Sequence, residues 1–178
     1  MRRFSWLLIS IFIIFCGFFL FETEAFPAQE NFYSDSKRML ERNIADGIMR
    51  RQEGDFSQSV ELFRRALETA QRTGDQEKEI DCLMNSGILS WNLGLMKESS
   101  VYYKEALTLA RNLRLKDKEN ECSTAVQIYE AYSMAKELRS AGRYEESIQY
   151  FRMAISLAKR INSLEHELKC LRQMSINY

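Results

Sequence analysis

The chain holds a single histidine, His166, so any imidazole-based triad or imidazole metal site would have to use it. No nucleophile stands in evident pairing with it, and its charged surroundings predict a surface residue. Three cysteines, Cys82, Cys122 and Cys170, recur at intervals of 40 and 48 residues in the similar settings KEIDC, KENEC and HELKC. In an oxidising compartment such cysteines invite a disulfide or metal reading. Their equivalence argues against it: equivalent points on stacked helices lie about 8 to 10 Å apart, whereas a disulfide needs Cα atoms within about 7 Å. They are expected as structural, partly buried thiols. No phosphate-binding glycine loop is present, and each acidic cluster reads as a solvated helix face. Lys and Arg number 25 against 25 Asp and Glu, a balance that asks for no nucleic acid. The chain is therefore expected to be no enzyme and to hold no cofactor and no metal.

The elements that would position any site are helices. One proline, Pro27, and seven glycines in 178 residues are too few for the hairpin turns of a many-stranded fold, so the expected class is all-α. Three segments align without a gap: Gly54-DFSQSVELFRRAL, Gly94-LMKESSVYYKEAL and Gly142-RYEESIQYFRMAI. A large apolar residue follows two after each glycine (Phe56, Met96, Tyr144), and a serine five after (Ser59, Ser99, Ser147). An aromatic comes nine after (Phe63, Tyr103, Phe151) and an alanine twelve after (Ala66, Ala106, Ala154). These are helical spacings, and the apolar positions form one stripe.

A further amphipathic stretch precedes each glycine, with Gly47 and Gly87 at the same place in the first two. A glycine inside a helix costs about 1 kcal/mol relative to alanine. Its recurrence predicts close helix approach, with Gly47, Gly87 and Ala135 facing the serines of the partner helix. From Cys82 to Gly94 is 12 residues but from Cys122 to Gly142 is 20, so the third unit carries eight extra residues. Its first helix is predicted to overhang from near Asp117.

This helix-turn-helix unit, G-x-Φ-x-x-small-x-x-x-aromatic-x-x-Ala met three times, resembles the tetratricopeptide repeat family. The serines stand where that family prefers alanine, the unit-ending proline is missing, and the 40-residue period resembles a long-helix subgroup of bacterial regulatory and scaffold proteins. The resemblance implies a right-handed superhelical solenoid of antiparallel helix pairs whose first helices line a concave groove. Its contact positions fall on Glu41, Ile44, Ile48, Arg51 and Gln52, then on Asp81, Met84, Ile88, Trp91 and Asn92. In the third unit they fall on Tyr129, Tyr132, Lys136, Arg139 and Ser140. Aromatic anchors mixed with polar donors suit a protein or peptide ligand; for Trp91, packing between neighbouring helices is the competing role. The Lys and Asn pattern that clamps a terminal carboxylate in chaperone-binding members is not reproduced.

Residues 1–25 read as a targeting segment. Arg2 and Arg3 precede the uncharged run Phe4–Phe21, 18 residues long, which suits a signal-peptide core or a short membrane anchor. Cleavage after Ala25, an uncleaved anchor, and acylation at Cys16 are the three readings, and each places the folded part outside the cytoplasm, periplasmic or secreted. The remaining organisation is a linker over 26–35, units over 36–73, 76–114 and 117–161, and an incomplete fourth unit or capping helix over 164–178. Because 164–178 copies the start of the second unit, the array is expected to continue past Tyr178. The expected function is an exported or membrane-anchored scaffold binding a protein or peptide on its concave face. Two alternatives stand beside it. One is the sensor or regulatory region of a larger enzyme, since long-helix repeats resembling these often precede a CHAT-type peptidase or a histidine kinase. The other is a self-association module acting through residues 164–178, where Leu168, Leu171 and Ile176 lack a partner helix.

Overall fold

The computed structural model describes residues 25–175, with side chains from residue 32 onward. Seven α-helices run through these residues: α1 (Ala25–Gln52), α2 (Phe56–Thr73), α3 (Gln76–Leu93), α4 (Met96–Asn112), α5 (Lys116–Ser140), α6 (Tyr144–Arg160) and α7 (Leu164–Ser175). No strand occurs among the described residues. The Cα geometry divides the chain into a part ending at Met39 and a part from Leu40 onward, and α1 runs through the division. Residues 26–35, expected as a linker, are instead helical and belong to α1. The leader expected over 1–25 lies outside the described residues apart from Ala25. Among the described helices none is long and apolar enough to cross a membrane.

From Leu40 onward the fold is an all-α solenoid of helix pairs. Each of its six turns closes in the same way: the left-handed residue donates its N–H to the carbonyl three back, and the next residue donates to the carbonyl five back. At Gly94 these bonds run to Trp91 O (3.1 Å) and, from Leu95, to Ser90 O (2.9 Å). This double bond satisfies the carbonyls that a helix end leaves free. Its left-handed backbone suits glycine, and Gly94 sits at φ +83°. Two of the six turns place other residues there, Arg114 at φ 57° and Asn162 at φ 52°. Both stand between units, where the first such turn has Gly74.

Within a unit the two helices meet at a repeated joint. Ser59 Oγ donates to Gly47 O (2.9 Å), Ser99 Oγ to Gly87 O (2.8 Å) and Ser147 Oγ to Ala135 O (2.8 Å). The three serines are fully buried, so each bond satisfies a hydroxyl that could not reach water. The serine that departs from the family's alanine thus pins one helix to the other. The aromatic at the joint explains the glycines: a Cβ on Gly87 would stand 2.6 Å from the Tyr103 ring, and one on Gly47 would stand 3.1 Å from Phe63.

The alanine stripe receives the following unit. Cys82 is buried with Ala66 and Ala70, Cys122 with Ala106 and Ala110, and Cys170 with Ala154 and Ala158. Each small thiol fills the same hollow one unit further along, which explains the 40- and 48-residue spacing. The extra residues of the third unit make α5 25 residues long against 18 for α3, in one unbroken helix. The end of α6 reaches the third turn of α5, where the Arg160 guanidinium donates to Thr124 Oγ1 (2.8 Å). The first two turns of α5 therefore extend past α6, and an open cleft lies between Asp117, Asn120, Ser123 and the residues following Arg160.

Candidate functional site

The residues assigned to a groove lie on the first helices of the units, α1, α3 and α5, and the structure divides them into two groups. One group forms polar links between successive first helices. Arg51 on α1 donates from Nη1 to Asn85 Oδ1 on α3 (3.1 Å). Asp81 on α3 accepts from Lys118 on α5 (2.5 Å). Arg139 on α5 donates to both the carbonyl and the side-chain oxygen of Gln173 on α7, at 3.3 and 3.1 Å. Arg51 to Asn85 and Arg139 to Gln173 span the same 34 residues, so one contact has been made twice by the same register. Gln52 is exposed, while Ile88 and Asn92 are half-buried. Of the remaining family positions, Glu41, Lys136 and Ser140 are exposed and Ile44, Ile48 and Tyr129 are half-buried.

The second group is closed to any ligand, which corrects its assignment to an open groove. Met84 is buried with its sulfur 3.2 Å from Cys122 Sγ. Tyr132 is buried edge-on to Phe151. Trp91 is fully buried, its ring centroid 4.8 Å from that of Tyr132 and 4.6 Å from that of His166, with the Lys169 ammonium 5.5 Å from its centre. Lys169 also donates to the Trp91 carbonyl. Met84 and Tyr132 are closed by the neighbouring helices α5 and α6, and Trp91 is closed by α7 as well. The N-terminal turns of α7 lie over the ends of α1 and α3, where Glu165 also pairs with Arg51 at 3.4 Å.

His166 is the centre of this contact and is only 1% exposed, contrary to the surface position expected for it. Both ring nitrogens are engaged, Nε2 with the Tyr103 hydroxyl (3.0 Å) and Nδ1 with Ser163 Oγ (2.6 Å). Burial pushes its pKa down to about 3, and the nearby Lys169 and Arg51 charges add to the shift. The ring is neutral at physiological pH and walled off, so it serves as a packing and hydrogen-bonding group. Burial likewise raises the Tyr103 hydroxyl and lifts the thiols of Cys82, Cys122 and Cys170 to about 12. These thiols are free, lie in separate hollows and carry little thiolate. Among the described residues no group of three His, Cys, Asp or Glu side chains could hold a metal ion.

The site missed by sequence reasoning is thus the contact of α7 with Trp91, Tyr103 and Arg51. The only signal for it was the polar pair Ser163 and His166 in a register otherwise apolar or charged. Models of the tetratricopeptide repeat match residues 47–77, 80–113 and 132–167, together more than half of the chain. No curated protein matches it. Repeated joints, six alike turns and these three matches agree: the chain belongs to the tetratricopeptide repeat family, whose repeats typically mediate protein–protein binding.

Proposed function

We propose that this chain is an exported or membrane-anchored repeat scaffold that binds a protein or peptide along the concave face of its first helices. The observation that carries the reading is the pair of polar links Asp81–Lys118 and Arg139–Gln173 between successive first helices. These side chains line successive helices as donors and acceptors, and a bound segment can exchange its own polar groups into them, while Ile88 supplies apolar contact. The leader supports export: two arginines ahead of an 18-residue uncharged run are the charge pattern of a segment entering a membrane.

The test is a pull-down from the extracytoplasmic fraction with the native chain beside an Asp81→Ala, Asn92→Ala double variant. The variant is expected to keep its helicity and lose at least about tenfold in captured partner, the scale of one or two lost polar contacts. Capture at full yield would sink the concave-face assignment. N-terminal sequencing of the mature protein separates cleavage after Ala25 from an uncleaved anchor.

A further inference from the structure

The facing edges of α5 and α7 gather four cations, Lys136 and Arg139 on α5 and Lys169 and Arg172 on α7. Arg139 reaches across to Gln173, which ties the two helices together at this level. Lys169 lies 5.5 Å from the centre of the Trp91 ring and Lys136 lies 6.0 Å from that of Tyr132, and those two rings pack edge-on with centroids 4.8 Å apart. In the register that sets Cys170 against Cys82, Lys169 and Arg172 take the positions of Asp81 and Met84. The cluster therefore continues the row of groove positions onto α7.

Elsewhere on the first helices positive charge is matched, Lys118 by Asp81 and Arg51 by Glu165. Here it is not. Among the described residues no carboxylate oxygen lies within 4 Å of any of the four. The two carboxylates of α7 are engaged elsewhere, Glu165 with Arg51 and Glu167 with Lys159. Arg139 and Lys169 are met by neutral oxygens, those of Gln173 and the Trp91 carbonyl. Burial holds the Lys169 ammonium below its ordinary pKa, and the Lys136 and Arg172 charges depress it further. Like charges gathered without a counter-charge repel one another, and a bound anion relieves that cost. With 25 basic against 25 acidic residues in the whole chain, the excess is local to this edge.

We propose that the partner of the concave face is an acidic peptide segment, whose aspartate or glutamate side chains are taken up by Lys136 and Arg139 of α5 and by Lys169 and Arg172 of α7. The inference rests on the concave-face reading and names its ligand. Packed helices lie about 8 to 10 Å apart, and side chains two residues apart on one face of an extended segment stand about 7 Å apart. Carboxylates at that spacing meet both helices through the long Lys and Arg side chains. Arg139 and Arg172 supply planar forks that suit a carboxylate. Half-buried Tyr129, two turns back on α5, gives the same segment an apolar contact. Asp81 on α3 repels a uniformly charged phosphate backbone, which favours a peptide of mixed side chains over a nucleic acid.

The test uses the full chain in non-ionic detergent and a fluorescein-labelled peptide of alternating glutamate and serine, amidated at its C-terminus. Anisotropy at low salt should give a dissociation constant on the order of 10 to 100 µM. The same peptide with glutamine for glutamate should bind at least about tenfold more weakly. Lys136→Glu with Arg172→Glu should lose a similar factor, and Lys136→Gln with Arg172→Gln, which adds no new charge, should lose several-fold. Lys97→Glu with Lys104→Glu changes the net charge equally at exposed positions on α4 and should bind like the native chain. The proposal is overturned if the native chain fails to bind the peptide at about 1 mM, well above the expected constant. It is equally overturned if the two charge-reversal pairs weaken binding alike, if the glutamine peptide binds as tightly, or if only a peptide with a free C-terminal carboxylate binds. A short single-stranded DNA that binds more tightly than the peptide would overturn the choice of a peptide. The concave-face reading is judged separately: capture lost in Asp81→Ala, Asn92→Ala but kept in Lys136→Glu, Arg172→Glu would retain that reading and remove the acidic ligand.

Discussion

The second and third units contain the same joint built from different residues. In the second, Gly87 lies under Tyr103 and Ser99 bonds the Gly87 carbonyl; in the third, Ala135 lies in one buried cluster with Phe151 and Ser147 bonds the Ala135 carbonyl. The serine bonds are equal at 2.8 Å, so the backbones approach equally closely. What differs is the ring. Tyr103 is tied at its hydroxyl to His166 and presses on the first helix so closely that a methyl there would fall 2.6 Å from it. Phe151 has no hydroxyl to be tied, and the third joint carries a methyl. In the second unit the glycine thus answers a ring that α7 holds in place, while the first unit keeps Gly47 opposite the untied Phe63.

Proton dependence separates the two joints most strongly. His166 has a folded pKa near 3, below its ordinary value near 6.5, so the unfolded chain takes up the proton first. The stability that the neutral ring contributes is complete above about pH 6.5 and falls by about 1.4 kcal/mol per unit as pH drops toward 3. Between pH 7 and 4.5 this is on the order of 2 to 3 kcal/mol. Urea midpoints at the two pH values should show that slope in the native chain and lose it in His166→Gln; equal slopes would detach the second joint from His166.

Gly87→Ala should cost about 2 kcal/mol, since overpacking a held ring costs roughly 1 to 3 kcal/mol or more and the gain in helix propensity, about 1 kcal/mol, offsets only part of it. Gly47→Ala, whose Cβ would stand 3.1 Å from Phe63, should be close to neutral. Thermal melts of both variants check the contrast, and equal costs would refute the role given to the Tyr103 tether. Ser99→Ala and Ser147→Ala should each lose about 1 kcal/mol, the value of one buried hydrogen bond. A clear inequality between them in denaturant titration would show that the two backbones do not share one geometry. The smallest effect is a gain: Arg114→Gly relieves a left-handed backbone and should raise stability by about 0.5 to 1 kcal/mol, while a melting temperature that falls would mean the arginine side chain contributes more than its backbone costs.

The joints were legible from the sequence because each is local, a serine and an aromatic at constant offsets from a small residue. Four of the six turns were legible through their glycines; Arg114 and Asn162 make the same turn with residues that carry no such signal. The candidate site was legible only in part. Asp81 and Arg139 form polar links between successive first helices, whereas Arg51 lies under α7 and Met84, Trp91 and Tyr132, assigned to a surface, are core. Counting positions back from a turn cannot reveal a helix that arrives from elsewhere in the chain.

By itself, the sequence determined the helical class, the repeat register and the pairing of helices within a unit, all of which rest on contacts 12 to 16 residues apart that any copy of the pattern repeats. Only the tertiary structure decided where α7 lies. Its contacts with Tyr103 and Trp91 span 63 and 78 residues and depend on the length of α5, which displaces α6 along the stack and carries α7 onto the ends of α1 and α3. That displacement made the lone histidine a buried neighbour of Trp91, since a few extra helical residues alter which helices meet without altering the pattern within any one of them.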